Sequence, residues 1–459
     1  MKKKLFCCVI AFMLLVAGCA ELPTASYADG TTSFVQKTEM PQNDIEKSTA
    51  ISQNDLRILM DIGQAYAEND RQCELLETEI TNAIRLAGGP ENIAFDSIPL
   101  EGNEREITLE RIRTEIMAGE GPDVFIIMTK GSNSLFPIPE KAMQEGVFLT
   151  LDEYIQNAEL ADWDSLTRPV LEAGRTDEGQ QLVPMLYTLP ITIYSKESVP
   201  EMPPVGTTWQ DMLADESGIL RRAAIMHRFE SGGLTLLPED SILSMLGEFV
   251  NYETQEILFS EEDLLHSMEE LMVLEKEINA ESFEGLPDYF QGRLYGLPKL
   301  TSESGKVLSI DRETPVTMVP IYSRSGDVTA TVQAYTGINR NTKHPEEAFF
   351  VVDYLMSAQA QQNLNLFQGS VGLPVNEAVL SEKHPQRARI NHYFTDENFE
   401  ALCNLRDQIS KVYFENSLVW TLSSLYYTCR GIQSGEITDQ TVEGVVAETY
   451  DALKQMLSE

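Results

Sequence analysis

Three short apolar runs alternate with two helical patterns near the start of the folded part of the chain, and this alternation constrains the fold most. Leu56–Ile62 and Val124–Met128 have the composition of buried strands, and Ile93–Pro99 is an extended stretch between them. The intervening segments carry apolar residues at helical spacing and end in Gly-Gly-Pro or Gly-Pro. The order β-α-β-α-β predicts a parallel, doubly wound α/β sheet.

The rest of the chain predicts more elements of the same two kinds. In chain order they are the extended region Leu182–Tyr194, a helix over residues 262–279, the strand Thr329–Ile338, the helix Pro345–Leu364, a mostly helical part from Asp396 onward, and a last helix Gln440–Leu457. A chain of 459 residues is long for one hydrophobic core, so we expect two domains.

The first residues indicate export. Lys2–Lys4 precede the apolar run Leu5–Val16, which is shorter than the roughly 20 residues of a membrane-spanning helix and is typical of a secretory signal peptide. The run ends in Ala17-Gly18-Cys19, which resembles the lipobox of bacterial lipoproteins, where the cysteine is lipidated. We therefore predict a signal peptide over residues 1–18, a lipidated flexible tether over 19–50, and anchoring to the outer face of the cell membrane. An ordinary signal peptide cut elsewhere is the alternative.

Charge and cysteine content exclude several partners. The net charge of −38 predicts that the chain repels nucleic acid and stays soluble. Histidines and cysteines have no metal-ligand spacing, so we expect no metal and no cofactor. Cys73, Cys403 and Cys429 follow the predicted lipidation site, and whether two of them pair is left open.

Four stretches of the sequence resemble family 1 extracellular solute-binding proteins of ABC importers, the group that contains maltose-binding protein. They are Ala118–Val124 (AGEGPDV), Val183–Lys196 with Thr208–Leu213 after it, Gly337–Asn376, and Ser434–Thr438 (SGEIT) before the closing helix. Their order and separations are those of the family. The resemblance covers roughly residues 55–459 and is thinnest between 215 and 325.

This resemblance implies a two-lobed α/β fold of the periplasmic-binding-protein type. Each lobe would be a mainly parallel sheet flanked by helices, with a hinge of crossing segments and a helical C-terminus. Lobe 1 would comprise residues 51–186 and 328–373, and lobe 2 residues 187–327 and 374–459. The implied function is capture of a small solute, with a sugar or oligosaccharide favoured, and delivery to ABC permease subunits by a monomer without enzymatic activity.

The resemblance also places the first candidate ligand contacts. Lys130 and Asn133 lie in the loop that corresponds to the family's first ligand-contacting loop, and a solvated loop is the alternative. Thr188 occupies a position where some members carry a carboxylate, which suggests a different ligand or hydroxyl pattern. Tyr187 beside it could stack on a sugar or could be a core tyrosine.

Aromatic rings supply the remaining candidates, because the apolar face of a pyranose packs on an aromatic ring. Tyr289, Tyr295, Tyr335 and Trp420 are the candidate stacking residues, and packing in the core is the alternative for each. Asp123 in the GPDV stretch is a less specific feature. We predict that it accepts hydrogen bonds from backbone N–H groups near the start of its strand.

Two other classes of protein remain as alternatives. A lipid-anchored glycan hydrolase would need two carboxylates flanking one glycosidic bond, and a chain with 72 acidic residues always supplies candidates. The sequence has no GxSxG or HExxH motif. A surface adhesion module would more often show repeats or the strand spacing of a β-sandwich, and neither is visible.

Overall fold

The β-α-β-α-β unit predicted near the start of the chain is present in the computed structural model. It consists of β1 (Leu56–Ile62), α1 (Asp70–Leu86), β2 (Ile93–Ser97), α2 (Asn103–Met117) and β3 (Val124–Met128). Strand β1 pairs in parallel with β2 on one side and with β3 on the other. The prediction of a parallel arrangement in this part of the chain is therefore confirmed.

The structure describes residues 55–63, 70–129, 131–224, 238–280, 289–293, 299–301, 307–309, 315–367, 372–380 and 396–458. The further helices in these ranges are α3 (Pro139–Gln144), α4 (Asp152–Ile155), α5 (Arg168–Glu172), α6 (Trp209–Leu213), α7 (Ile219–Ala224), α8 (Pro238–Leu246), α9 (Glu261–Ala280), α10 (Pro345–Met356), α11 (Ala358–Asn363), α12 (Asp396–Arg406), α13 (Ser417–Ser434) and α14 (Val442–Ser458). The further strands are β4 (Arg175–Thr176), β5 (Gly179–Gln180), β6 (Leu182–Thr188), β7 (Pro190–Ser195), β8 (Val250–Asn251), β9 (Glu256–Ile257), β10 (Tyr289–Arg293), β11 (Lys299–Thr301), β12 (Val307–Ser309), β13 (Val316–Pro320), β14 (Val328–Ile338), β15 (Leu373–Pro374) and β16 (Ile409–Phe414).

The larger sheet has the strand order β15-β6-β14-β3-β1-β2, and β16 also pairs with β14. Strand β14 runs antiparallel to both β3 and β6, so β6 points in the same direction as β1 and β3. The sheet is therefore mixed, with a parallel half that carries the predicted unit. Such mixed sheets are common in large α/β proteins.

The smaller sheet corrects one prediction. Its order is β12-β11-β10-β7-β13, and every described pair in it is antiparallel, whereas we predicted a mainly parallel sheet in each lobe. Consecutive strands β10, β11 and β12 are separated by only five residues each, over 294–298 and 302–306. A parallel connection needs a crossover of a dozen residues or more, so these strands can only pair as hairpins.

Apolar packing covers both faces of the larger sheet, which explains the continuous apolar sequence of β3. Val124 and Ile126 belong to the main hydrophobic cluster, which also takes in residues of the smaller sheet. Phe125 and Ile127, alternating with them, belong to a second cluster on the opposite face. Side chains of a strand point to alternate faces, so a strand buried on both sides has no polar period.

Two predicted boundaries in the C-terminal half need correction. The single helix predicted over Pro345–Leu364 is two helices, α10 and α11, because Ser357 adopts an extended conformation and caps α11 through its hydroxyl. The stretch predicted to be mostly helical after Asp396 also contains β16, which lies in the larger sheet although it falls in the segment assigned to lobe 2. The division of Ile51–Glu459 into lobes stays a prediction, since these residues form one compact unit.

Candidate functional site

The carboxyl ends of β1, β3 and β6 meet at one edge of the larger sheet. These strands point the same way and end at Ile62, Met128 and Thr188. In open α/β sheets the crevice beyond the carboxyl ends of the strands is the usual ligand site. The loops at this edge are therefore the first place to look for a binding site.

The loop that follows β3 is fixed from below by a buried carboxylate. Asp61, near the end of β1, has no exposed surface, and its Oδ2 accepts from the Thr129 hydroxyl at 2.6 Å and from the Leu135 backbone N–H at 2.8 Å. Its Oδ1 accepts from the Arg105 guanidinium at 2.6 Å. One side chain thus holds both the beginning and the end of the turn.

Two arginines of α2 hold the same loop by its carbonyl groups. Arg105 donates to the Asn133 carbonyl oxygen. Arg113 donates through Nη2 to the Ser134 carbonyl at 2.8 Å and through Nε to the Leu135 carbonyl at 3.1 Å. Three consecutive carbonyl groups are therefore bound by side chains of another element.

Trp420 on α13 lies against the outer side of this loop. Gly131 begins the short 3-10 helix Gly131–Asn133 with a positive φ of 63°, and a Cβ placed on it would lie 2.8 Å from Trp420 Cδ1. Only glycine fits both the left-handed backbone and the close approach of the ring. Trp420 remains 43% exposed, so a large part of its ring is open beside the loop.

A second group of polar residues lies where β6, β14 and β16 approach one another. Gln333 of β14 donates through Nε2 to the Thr188 hydroxyl at 3.1 Å and to Glu415 Oε2 at 3.2 Å. All three side chains are buried. Sequence reasoning proposed Thr188 but missed Gln333 and Glu415, whose partners lie 145 and 82 residues away along the chain.

Asn416 connects this region to α3. Its Oδ1 caps α13 by accepting from the backbone N–H groups of Leu418 and Val419. That geometry turns its Nδ2 toward the Glu140 carboxylate, at 3.1 Å, and the Tyr252 hydroxyl, at 2.8 Å. Asn416 stands directly before an apolar helical run, which is the position of an N-cap, and this was the available sequence signal.

Glu140 and Tyr252 line a cavity of about 240 Å³ that β16 also borders. Burial raises the pKa of Glu140 to about 7, although hydrogen bonds from Asn416 and Tyr252 act in the opposite direction. Burial, together with the charge of Glu140, raises the pKa of Tyr252 well above its ordinary value. The main causes of the Glu140 pKa shift include no cationic group among the described residues, so the cost of burying its charge outweighs these hydrogen bonds and favours its protonated form.

The structure places five of the predicted ligand residues near this edge in different surroundings. Asn133 is exposed, and Trp420 is half exposed. Thr188 is buried in the group around Gln333. Tyr187 is fully buried, and Tyr335 is buried with its ring edge-on to Phe414, which favours the core alternative for both rings. Contact with a ligand stays a prediction for each residue.

The remaining predicted residues fall outside what the structure describes. Lys130, Tyr295 and the lipidation site Cys19 lie in undescribed ranges, and Tyr289 belongs to β10 without a described side chain. At the opposite, amino end of β3, Asp123 accepts from the backbone N–H of Arg57 near the start of β1 at 2.8 Å, which confirms the predicted role of Asp123 as an acceptor of backbone hydrogen bonds.

Two further properties concern metals and membranes. Within the described ranges, His, Cys, Asp and Glu nowhere gather in groups of three or more that could hold a metal ion. Among the same residues, each helix is too short or too polar to cross a bilayer. Among the described residues, no disulfide joins two of Cys73, Cys403 and Cys429, and Cys73 and Cys429 are buried.

Comparison with known proteins gives a consistent result. The model of the bacterial extracellular solute-binding protein family matches residues 102–362 of the chain. No curated protein is detectably similar in sequence.

Solved structures with a similar fold include a family 1 extracellular solute-binding protein from Alicyclobacillus acidocaldarius subsp. acidocaldarius DSM 446, with 14% identity over 88% of this chain and 98% of that one and a TM-score of 0.52. A periplasmic oligogalacturonide-binding protein from Yersinia enterocolitica has 14% identity over 88% and 99% and a TM-score of 0.51. A de novo designed cysteine esterase has 15% identity over 88% and 98% and a TM-score of 0.54. At such low identity these likenesses are likenesses of fold.

Proposed function

Because the chain belongs to the bacterial extracellular solute-binding protein family, we propose that it captures an oligosaccharide outside the cell and delivers it unaltered to an ABC importer. The site would lie at the carboxyl edge of the larger sheet, between the two predicted lobes, which would close over the sugar by hinge motion. The partners would be the permease subunits, and the protein would act as a monomer without a metal or a cofactor.

One observation carries the choice of ligand class. Trp420 offers a half-exposed ring directly beside a turn that carries the exposed amide of Asn133. A sugar presents an apolar face and a rim of hydroxyl groups, so an aromatic ring next to an amide suits both parts. The oligogalacturonide-binding protein of similar fold adds acidic sugars to the ligands that should be tested first.

The test is a binding screen of the full mature chain against maltotriose, mannotriose, trigalacturonate, single amino acids and polyamines. A ligand that binds the native state raises the melting temperature by mass action, and titration calorimetry then gives the dissociation constant. We expect one trisaccharide to bind and to be recovered unaltered after long incubation. Binding of amino acids or polyamines alone would contradict the ligand class, and shortened sugars would support the glycan hydrolase instead.

The matched variants are Trp420→Ala and Tyr427→Ala. Both rings belong to α13 and both are close to half exposed, at 43% and 44%, and Trp420 is the ring that lies against Gly131 in the loop after β3. We expect Trp420→Ala to weaken binding of the trisaccharide by about ten-fold or more, which corresponds to roughly 1.4 kcal/mol, and Tyr427→Ala to leave it unchanged. If the two variants changed the dissociation constant of the trisaccharide equally, Trp420 would not be a ligand contact.

Export and anchoring are the second part of the proposal. The supporting sequence is the apolar run that ends at Cys19, and acyl chains on this cysteine would hold the protein at the outer face of the membrane. Cys19→Ala should move the protein from the membrane fraction to the medium and abolish labelling with palmitate. A variant that still sediments with membranes and incorporates label would exclude Cys19 as the anchor.

A further inference from the structure

The loop after β3 is held by two side chains of α2 that bind its backbone carbonyl groups. We propose that Arg105 and Arg113 of α2 are positioning residues, which hold this loop in the one conformation that presents Asn133 at the site. The inference rests on the proposed function for its effect on sugar affinity. Its structural part, that these two arginines fix the loop, is independent of any ligand.

The first argument is the continuity of the contacts. The carbonyl groups of Asn133, Ser134 and Leu135 follow one another along the chain, and each accepts from one of the two guanidinium groups. Arg105 and Arg113 are eight residues apart, or about 12 Å along the helix. Two positions on one helix therefore converge on three neighbouring peptide groups.

The second argument is that the opposite side of the same turn is also tied. Asp61 accepts from Thr129 and from the Leu135 N–H, and it pairs with Arg105, whose Nη1 donates in turn to the Pro99 carbonyl at 3.0 Å. Both ends of the turn are thus connected to β1 and α2. A loop with so many external hydrogen bonds loses little further entropy when a ligand binds, which is the advantage of preorganisation.

The third argument is the residue type. A guanidinium group has five N–H donors in a rigid plane and can bind two acceptors in fixed directions, as Arg113 does with Ser134 and Leu135. A lysine ammonium at the same place could not reproduce both directions. The arginines are therefore used for geometry as well as for charge.

The variant that tests this is Arg113→Gln, with Arg111→Gln as its matched control. Arg113 is 29% exposed, so its loss should leave the fold intact, whereas Arg105 is 7% exposed and pairs with a fully buried Asp61. Arg111 lies on the same helix and pairs only with Glu115 among the described residues. The control thus removes the same charge from the same helix without touching the loop.

The readout without ligand is hydrogen exchange of the backbone amides of residues 131–136 in the full mature chain. We expect these amides to exchange about ten-fold faster in Arg113→Gln than in the parent, with no change in Arg111→Gln. In Arg113→Gln, local opening of the loop no longer has to break the two hydrogen bonds that Arg113 donates to it. Unchanged exchange in Arg113→Gln would overturn the proposal. Arg113→Lys should exchange nearly as fast as Arg113→Gln, and full rescue by lysine would contradict the role of the planar group.

The readout with ligand is calorimetry with maltotriose, mannotriose and trigalacturonate. We expect Arg113→Gln to raise the dissociation constant of the trisaccharide that binds the parent by about ten-fold, while its melting temperature without ligand falls by no more than a few degrees. Faster exchange with unchanged affinity would mean that the loop is not part of the site. If the parent binds none of the three sugars, the proposed function fails while the exchange experiment still decides whether the arginines hold the loop.

Discussion

The two ends of β1 each carry an arginine–carboxylate group, and these groups differ mainly in their contact with water. At the carboxyl end the pair is Asp61 with Arg105, at 0% and 7% exposure, below the candidate ligand loop. At the amino end Arg57 pairs with Asp96 at 2.9 Å and Glu115 at 3.1 Å, and Arg57 itself is 24% exposed beside an open cavity of about 410 Å³. Removing a carboxylate from the arginine–carboxylate group at the carboxyl end of β1 should therefore lower the free energy of unfolding much more than removing one at the amino end.

The largest effect should come from breaking the buried pair. Asp61→Ala leaves the guanidinium of Arg105 buried without its charge partner and removes the acceptor of two further hydrogen bonds. We expect a loss of about 3–5 kcal/mol in the free energy of unfolding, measured by urea titration.

Asp61→Asn serves as the control, because it keeps the shape and one acceptor while removing the charge. It should lose clearly less than Asp61→Ala. A loss below about 1 kcal/mol in Asp61→Ala would mean that the buried end of β1 behaves like an exposed one, and the comparison would fail.

Glu140 adds a third case to the comparison of the two arginine–carboxylate groups, because its hydrogen-bond partners are neutral side chains. Glu140 accepts from Asn416 and Tyr252, and burial raises its pKa to about 7 from an ordinary value of 4.5. Between these two pH values the folded state keeps a proton that the unfolded state has released, so stability falls as the pH rises toward 7. Glu140→Gln resembles the protonated form and lacks this loss.

We therefore expect Glu140→Gln to be more stable than the parent at pH 8 by about 3 kcal/mol, with the difference shrinking toward pH 4.5. Urea titrations of both proteins at several pH values measure the difference. A difference that does not change with pH would show that Glu140 is ionised in the folded state throughout. Asp152→Asn is a suitable control, because hydrogen bonds and its pairing with Arg175 outweigh burial and lower the pKa of that carboxyl group from 3.8. Its pH dependence has the opposite sign and lies below that value, so the Asp152→Asn difference should stay flat over the range in which the Glu140→Gln difference changes.

The bounds of β1 and β3 followed from the sequence because both are short, nearly uninterrupted apolar runs, and β3 also follows the helix stop Gly121-Pro122. The role of Asp61 did not follow, since a single acidic residue in such a run has no local sign of a partner 44 residues away. The same limit applies to Gln333 and Glu415. The antiparallel pairing of the smaller sheet was not predicted, because we took a mainly parallel sheet from the family resemblance, although the resemblance is thinnest in that region. The short connections between β10, β11 and β12 would have indicated hairpins and therefore antiparallel pairing. Local periodicity predicts elements, but partners across the sheet depend on packing that no short window contains.

The smallest effect should come from the amino end of β1, where Arg57 and Glu115 are partly exposed, at 24% and 25%. Glu115→Gln removes one of the two carboxylates that face Arg57, while Asp96 remains paired with it at 2.9 Å. We expect a loss of about 0.5 kcal/mol at low salt, falling further at 1 M salt, because pairs that water reaches are weak and are screened by ions. The buried pair should be much less sensitive to salt, so the Asp61→Ala loss should persist at both ionic strengths. A Glu115→Gln loss that equals the Asp61→Ala loss, or that does not respond to salt, would mean that burial does not explain the difference between the two ends.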